Sequence, residues 1–189
     1  MSYSGAGKNQ QMALIPYRTN LNVQDYSMLS YVGWPGRYTP NQIAQKNKGG
    51  AAYGSWENIS TSIANEAKKK LAIIMQYHGG IEYSSEPTLQ TEQILKSTID
   101  QGGDLIIGHH PHVSQGLELY GNKLIAYSLG NLVFDQYYYA TQHAYVLYVW
   151  MDGETFYRAE IIPIYIKGYI PTPATGMHRY TVLKRLSNL

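Results

Sequence analysis

The chain has 189 residues, 44% of them hydrophobic, which is enough for one domain with a sizeable core and short for two. Lys and Arg number 15 against 13 Asp and Glu, a net charge of +2 without a basic stripe to track a phosphate backbone, so nucleic acid is not an expected partner. The absence of cysteine excludes thiolate ligands, disulfides and a cysteine nucleophile, and leaves His, Asp, Glu or Asn to hold any metal. The opening Met1-Ser2-Tyr3-Ser4-Gly5-Ala6-Gly7 lacks the charged-then-apolar order of a secretory leader, and no apolar run approaches a membrane span, so the chain reads as soluble. Most of the 19 tyrosines alternate with aliphatic residues, the usage of a half-buried sheet.

In chain order, residues 1–20 read as loop, with a short helical turn at Gln10 to Leu14. Ser27 to Gly33 is a strand candidate, and Pro35 to Gly54, rich in Gly, Asn and Pro without periodicity, reads as a long surface loop. Ser55 caps a helix whose Trp56, Ile59, Ile63 and Ala67 recur at helical spacing, with Lys68 to Lys70 where the dipole favours cations. Leu71 to Tyr77 is an apolar strand that delivers His78 at its carboxyl end. Pro87 to Gln101 reads as a second helix stopped by Gly102-Gly103, and Asp104 to Gly108 as the next strand, delivering His109, His110 and His112 to the same edge. Two hairpins follow, Leu117–Tyr120 with Leu124–Leu129 and Ala144–Met151 with Thr155–Ile164. Pro171 to Pro173 reads as an extended linker, and Arg179 to Leu189 as a short closing helix. The fold class is α/β with some α+β character, in one domain over residues 1–189.

Four of the six histidines, His78, His109, His110 and His112, thus fall at two neighbouring strand ends, the outline of a divalent-metal site. In an extended segment alternate residues face the same way, so His110-Pro111-His112 can present both rings to one metal or one to each of two. Asp104 starts its strand, at the wrong end of the sheet to bridge metals. Glu82 and Asp135 are the acids nearest the site in sequence. Glu82 is a candidate general acid or base, or a partner to a ligand, weighed equally against a solvated loop acid. Asn131 can hydrogen-bond an anionic substrate, although turn formation is its commoner role. For Tyr137-Tyr138-Tyr139 packing is the commoner explanation over stacking on a sugar, and His143 and His178 read as ordinary.

Three strings, Tyr77-His78-Gly79-Gly80-Ile81-Glu82-Tyr83, Ile99 through Gly108-His109-His110-Pro111-His112-Val113, and Tyr127-Ser128-Leu129-Gly130-Asn131-Leu132-Val133-Phe134-Asp135-Gln136, resemble the CapA family of bacterial capsule and poly-γ-glutamate synthesis proteins. Ser4 to Asn9 resembles, more weakly, the family's segment just past its Asn-Asn-His motif. The resemblance is centred on residues 71–136 and implies the C-terminal portion of a metallophosphoesterase-like, calcineurin-like αββα sandwich. It implies divalent metal ions (manganese, zinc or iron), with His78 matching an isolated histidine ligand and His110 with His112, or alternatively His109, matching the Gly-His-x-His pair. The family's early Gly-Asp, Asn-x-Glu and Asn-Asn-His motifs have no counterpart here, and its usual Trp after the first histidine is Gly79. The chain therefore reads as truncated at its N-terminus, with part of the ligand set missing.

The implied function is a metal-dependent hydrolase in cell-envelope polymer synthesis, acting on an anionic cell-surface polymer or its precursor together with a missing half or other synthesis subunits. The alternatives are a non-catalytic polymer- or partner-binding scaffold, or an inactive remnant.

Overall fold

Why the strands line up as they do follows from their burial patterns. In the computed structural model, which describes residues 2–33 and 41–187, the chain builds a mixed α/β fold. The elements are β1 (Ala6–Gly7), α1 (Gln10–Ala13), β2 (Tyr17–Leu21), β3 (Gln24–Val32), β4 (Gly50–Ala51), α2 (Trp56–Ala67), β5 (Ala72–His78) and α3 (Leu89–Asp100). They continue with β6 (Leu105–His109), β7 (Leu117–Tyr120), β8 (Lys123–Ala126), β9 (His143–Asp152), β10 (Thr155–Lys167), β11 (Ile170–Pro173) and α4 (Gly176–Leu186).

The main sheet has six strands in the order β2-β3-β5-β6-β8-β7. Its four central strands are parallel, and β2 and β7 are antiparallel edges. Parallel neighbours need crossovers, which α2 supplies from β3 to β5 and α3 from β5 to β6, while the segment carrying β7 links β6 to β8. Both helices begin on a hydroxyl cap, Ser55 accepting from the Asn58 N–H and Thr88 from the Thr91 N–H. Ile59 and Ile63 of α2 and Leu95 of α3 bury against Leu29, Tyr31, Met75, Tyr77, Ile106 and Ile125 on one face of the sheet. The registers Leu29↔Met75↔Ile106↔Ile125 put these side chains in one row. On the opposite face Gln76 and His78 are exposed.

Glu66 pins α2 to the sheet's edge. Only 2% exposed, it accepts from Arg18 Nη2 at 2.7 Å, Lys69 Nζ at 2.6 Å and Ser27 Oγ at 2.9 Å. Burial pushes its carboxyl up, but the bonds from Arg18, Lys69 and Ser27 outweigh this and hold it down at about 2. Asp104 accepts from the Ile73 N–H at 2.8 Å and pairs with Lys123, at the amino end of β6, away from the histidines as expected.

A second sheet, β11-β10-β9, joins the first through Tyr145, Val182 and Leu186, packed with Leu117, Leu129, Leu147 and Ile161. Thus α4 is held between the two sheets by its buried Val182 and Leu186.

Several expectations change. Tyr17–Leu21 is a strand and not loop; its polar Tyr-Arg-Thr-Asn-Leu carries no buried side chain, so hydrophobic periodicity could not reveal it. The strand read as Ser27 to Gly33 is longer, Gln24–Val32. Of the stretch read as a surface loop, 34–40 lies outside the described residues, while Ile43, Ala44 and Ala52 are buried and Gly50–Ala51 pairs with Ala6–Gly7. Pro171–Pro173 belongs to an edge strand against β10 and is not a linker, a position prolines tolerate because an edge leaves some N–H groups without ladder partners. The last helix starts earlier than read, at Gly176, and residues 188–189 of that reading lie outside the described residues.

A methyl group on Gly108 would sit 2.0 Å from the Tyr127 carbonyl oxygen of the neighbouring chain segment. Gly108→Ala therefore forces β6 and the segment after β8 apart, and we expect a loss of at least about 1–3 kcal/mol in urea denaturation, the cost of overpacking.

Candidate metal centre

Parallel strands end on the same edge of a sheet, and β5 and β6 end together. His78, the last residue of β5, stands directly opposite His109, the last of β6. Immediately beyond, His110 and His112 adopt φ of 105° and 61° on either side of Pro111, a region side-chain-bearing residues rarely occupy. The segment is therefore not extended, and the expectation that His110 and His112 face the same way through strand alternation is corrected. Their ring centroids lie 6.1 Å apart, and each turns to a different partner.

His110 turns to His78. Its Nδ1 lies 3.3 Å from His78 Nε2, with ring centroids 5.0 Å apart. Two metal–nitrogen bonds of about 2.0–2.1 Å meeting at a tetrahedral angle span about 3.3–3.4 Å, so this pair stands at the separation one cation would impose. In the absence of a cation one nitrogen must carry the shared hydrogen; ligation needs a lone pair on both, a change of tautomer in one ring without net loss of charge.

His112 turns to Asn131, with Nδ1 2.8 Å from Oδ1. The Asn131 amide nitrogen donates to Gln136 Oε1 at 3.0 Å and to the Thr141 carbonyl at 3.3 Å, which assigns its oxygen to His112. An amide oxygen only accepts, so His112 donates from Nδ1 and, when neutral, leaves a lone pair on Nε2. Asn131, 8% exposed, thus fixes a histidine tautomer, which is more than the turn role assigned by default. Tyr83 stacks on the His112 ring at 6.1 Å, Phe134 approaches it at 4.9 Å, and Gln136 donates to the Tyr83 hydroxyl at 3.0 Å.

His109 is the fourth imidazole. Its Nε2 is buried with no hydrogen-bond partner among the described residues, an orphan of a kind a bound group would satisfy. It lines, with Gly5, Ser30, Val32, Gln76 and His78, a cavity of about 410 Å³ on the sheet face opposite the helices. Even so, among the described residues no three His, Asp or Glu side chains converge as a metal-holding group. The donors present fit two nitrogen positions of a cation site and do not complete one.

The electrostatics favour neutral rings. Burial, then the charges of His110, His109 and His112, lower His78 to about 4. Burial also lowers His109 and His110, the latter opposed by the attraction of Glu82. Glu82 is exposed and near enough to His110 to act on its charge. Neutral imidazoles are what metal ligation requires.

The remaining expectations divide. Tyr137 and Tyr138 are 69% and 68% exposed; Tyr137 meets Tyr169 edge-on at 5.6 Å, and Tyr138 lies 5.7 Å from Tyr83 beside the His112 ring. His143 and His178, read as ordinary, are hydrogen-bonded to each other, Nε2 to Nδ1 at 2.9 Å, which a sequence separation of 35 concealed. Gly79, where a tryptophan is usual in the family resembled, has no room for one: a Cβ would lie 2.6 Å from Tyr77 Cε1.

A mixed α/β sheet with imidazoles gathered at the carboxyl edge of its parallel strands defines the class of arrangement, and comparison with known proteins supplies the family. Residues 1–136 match the family model described as bacterial capsule synthesis protein PGA_cap, and the chain belongs to that family. It is 32% identical over 182 residues to capsule biosynthesis protein CapA of Bacillus anthracis, covering 93% of this chain and 43% of that protein. It is 32% identical over 146 residues to PGA biosynthesis protein CapA of Bacillus subtilis, covering 76% of this chain and 38% of that one. The chain thus spans about two fifths of the length of these curated relatives. Among solved structures, the NAD nucleotidase NadN of Haemophilus influenzae aligns with 98% of this chain and 36% of its own, at a TM-score of 0.46 and 10% identity. Among the described residues no helix is long and apolar enough to cross a membrane.

The lowered His78 predicts a pH effect. Its unfolded value, 6.5, exceeds its folded value of about 4, so between these the unfolded chain binds more protons. Stability from this group is complete above pH 6.5 and is lost as pH falls through that window. We expect the urea midpoint to drop from pH 7 to pH 4, His78→Gln to flatten the drop, and the His78 ring to titrate near 4 by NMR.

Proposed function

We propose that this chain carries part of a metal-dependent, phosphoesterase-like centre in capsule or poly-γ-glutamate synthesis, with His78 and His110 as two nitrogen ligands of a divalent cation, manganese, zinc or iron. The observation that carries this reading is the 3.3 Å approach of His78 Nε2 to His110 Nδ1 at the carboxyl edge of the sheet. A bound cation would supply Lewis acidity toward a phosphoryl oxygen or a water molecule. The chain's own residues do the rest. His112 keeps a lone pair on Nε2 because Asn131 holds the proton at Nδ1. Glu82, exposed and near enough to act on the charge of His110, would take or return a proton. Neutral His78, His109 and His110 accept a cation without a prior proton loss.

Two nitrogens leave a divalent ion short of donors, and two cations close together need bridging oxygens to offset their repulsion. The proposal therefore places the remaining ligands, carboxylates foremost, on another segment of the protein or on a partner subunit, approaching the sheet face that carries Gln76 and His78. The substrate is an anionic cell-surface polymer or its precursor, and the site of action the bacterial cell envelope.

A second reading, a scaffold that binds polymer or partner without catalysis, draws support from the exposed aromatic surface around His112, formed by Tyr83, Phe134 and Tyr138.

Isothermal titration with manganese and zinc separates the two. We expect one cation per chain, held weakly by the two nitrogens and lost in the His78→Ala/His110→Ala double variant. Binding that survives the double variant overturns the ligand assignment, and a wild-type chain that binds neither ion supports the scaffold.

A further inference from the structure

The hydrogen bonds of Asn131 lead away from the histidines to a part of the chain beyond the matched residues 1–136, and they end on α4. We infer that α4 is a latch: His178, Thr181 and Arg185 clamp the turn at Tyr139–Gln142 and thereby hold Asn131, and through it His112, in one orientation. This inference does not rest on the cation reading.

The three latch residues are spaced i, i+3 and i+7, one stripe of the helix. Each meets the same turn. Arg185 Nη1 donates to the Ala140 carbonyl at 3.0 Å. The Tyr139 hydroxyl lies 3.4 Å from Thr181 Oγ1, and since Thr181 donates to the Met177 carbonyl at 2.9 Å, Tyr139 is the donor. His178 Nδ1 lies 2.9 Å from His143 Nε2, while His143 Nδ1 donates to the Tyr139 carbonyl at 2.6 Å. With its Nδ1 hydrogen so committed, neutral His143 accepts at Nε2, and His178 donates. The His178 ring also stacks on Tyr165 of β10 at 3.6 Å and 15°.

The carbonyls from Tyr138 to Thr141 are all engaged. Tyr138 O accepts from Thr141 N–H and Oγ1, both at 2.9 Å; Tyr139 O takes His143; Ala140 O takes Arg185; Thr141 O takes Asn131. His143 is 0% exposed and Thr141 1%, so these two cannot exchange a partner for water without opening the packing, whereas the Tyr139–Thr181 contact faces solvent. A turn fixed on one side by a helix can move only with it. Loss of the latch frees Thr141 O, then the Asn131 amide, then the choice of tautomer at His112.

The test uses the full chain without metal, ¹⁵N-labelled, at one pH. The probes are the Asn131 side-chain amide and the His112 ring nitrogens, with the buried Ile73 backbone amide, bonded to Asp104 at 2.8 Å in the main sheet, as a control for general loosening. In His178→Ala/Arg185→Ala we expect Asn131 amide exchange to rise about tenfold, the consequence of losing one buried partner. We also expect the His112 Nδ1 and Nε2 signals to move toward each other as the tautomers mix, with Ile73 unchanged. His178→Asn, whose amide replaces the Nδ1 donor, restores wild-type signals when Arg185 is kept. Unchanged Asn131 and His112 signals overturn the latch, as does an Ile73 change of equal size, which marks α4 as merely stabilising. Should the double variant not fold, Arg185→Ala alone decides on the same signals. A wild-type chain that binds no cation leaves this readout intact.

Discussion

Parallel pairing of β5 with β6, in the register that sets His78 opposite His109, is the constraint on which the rest of the site depends. Parallel strands deliver their last residues to one edge, so two histidines far apart in sequence become neighbours without any loop having to hold them. On its other side β6 lies close enough to the segment after β8 to demand Gly108, whose backbone lies against the Tyr127 carbonyl. Beyond the strand the chain must turn sharply, and it does so with two histidines in a left-handed conformation flanking a proline. Strain of this kind persists only where the surroundings hold it, and here it aims one ring at His78 and the other at Asn131.

Proton positions follow from that geometry. Burial, joined by neighbouring imidazoles at His78 and His110, keeps His78, His109 and His110 below the ordinary histidine range, so these three rings stay neutral near pH 7 and repel a cation little. Asn131 then decides which nitrogen of His112 is free, and the turn at Tyr139–Gln142 decides the direction of Asn131. The site is thus supported from two sides: by the parallel sheet beneath it, and by a hydrogen-bonded turn anchored to the last helix.

The chain belongs to the capsule synthesis family yet spans about two fifths of its curated relatives' length. One face of its sheet is covered by α2 and α3, while the other presents Gln76, His78 and His109 Nε2, which has no partner among the described residues. Under the proposed function this second face is where further donors would approach. A buried imidazole nitrogen without a partner costs stability unless something satisfies it, which gives that face a reason to be covered.

The sequence by itself determined the helices α2 and α3, the apolar strands β5 and β6, both hairpins and the gathering of histidines at one edge. Each rests on a local signal: a hydroxyl cap before a 3.6-residue period, a short apolar run before a glycine turn, a two-residue turn between alternating strands. Tyr17–Leu21 escaped because an edge strand buries too little to leave a hydrophobic pattern, and Pro171–Pro173 because proline in an edge strand looks like a linker. Only the tertiary structure decided which histidine faces which. The pairs His78–His110, His112–Asn131 and His143–His178 are separated by 32, 19 and 35 residues. No period or spacing encodes such contacts; they arise when strand register, two left-handed residues and the docking of α4 place polar atoms within reach. Composition announced that imidazoles would meet, while packing alone assigned their partners and their protons.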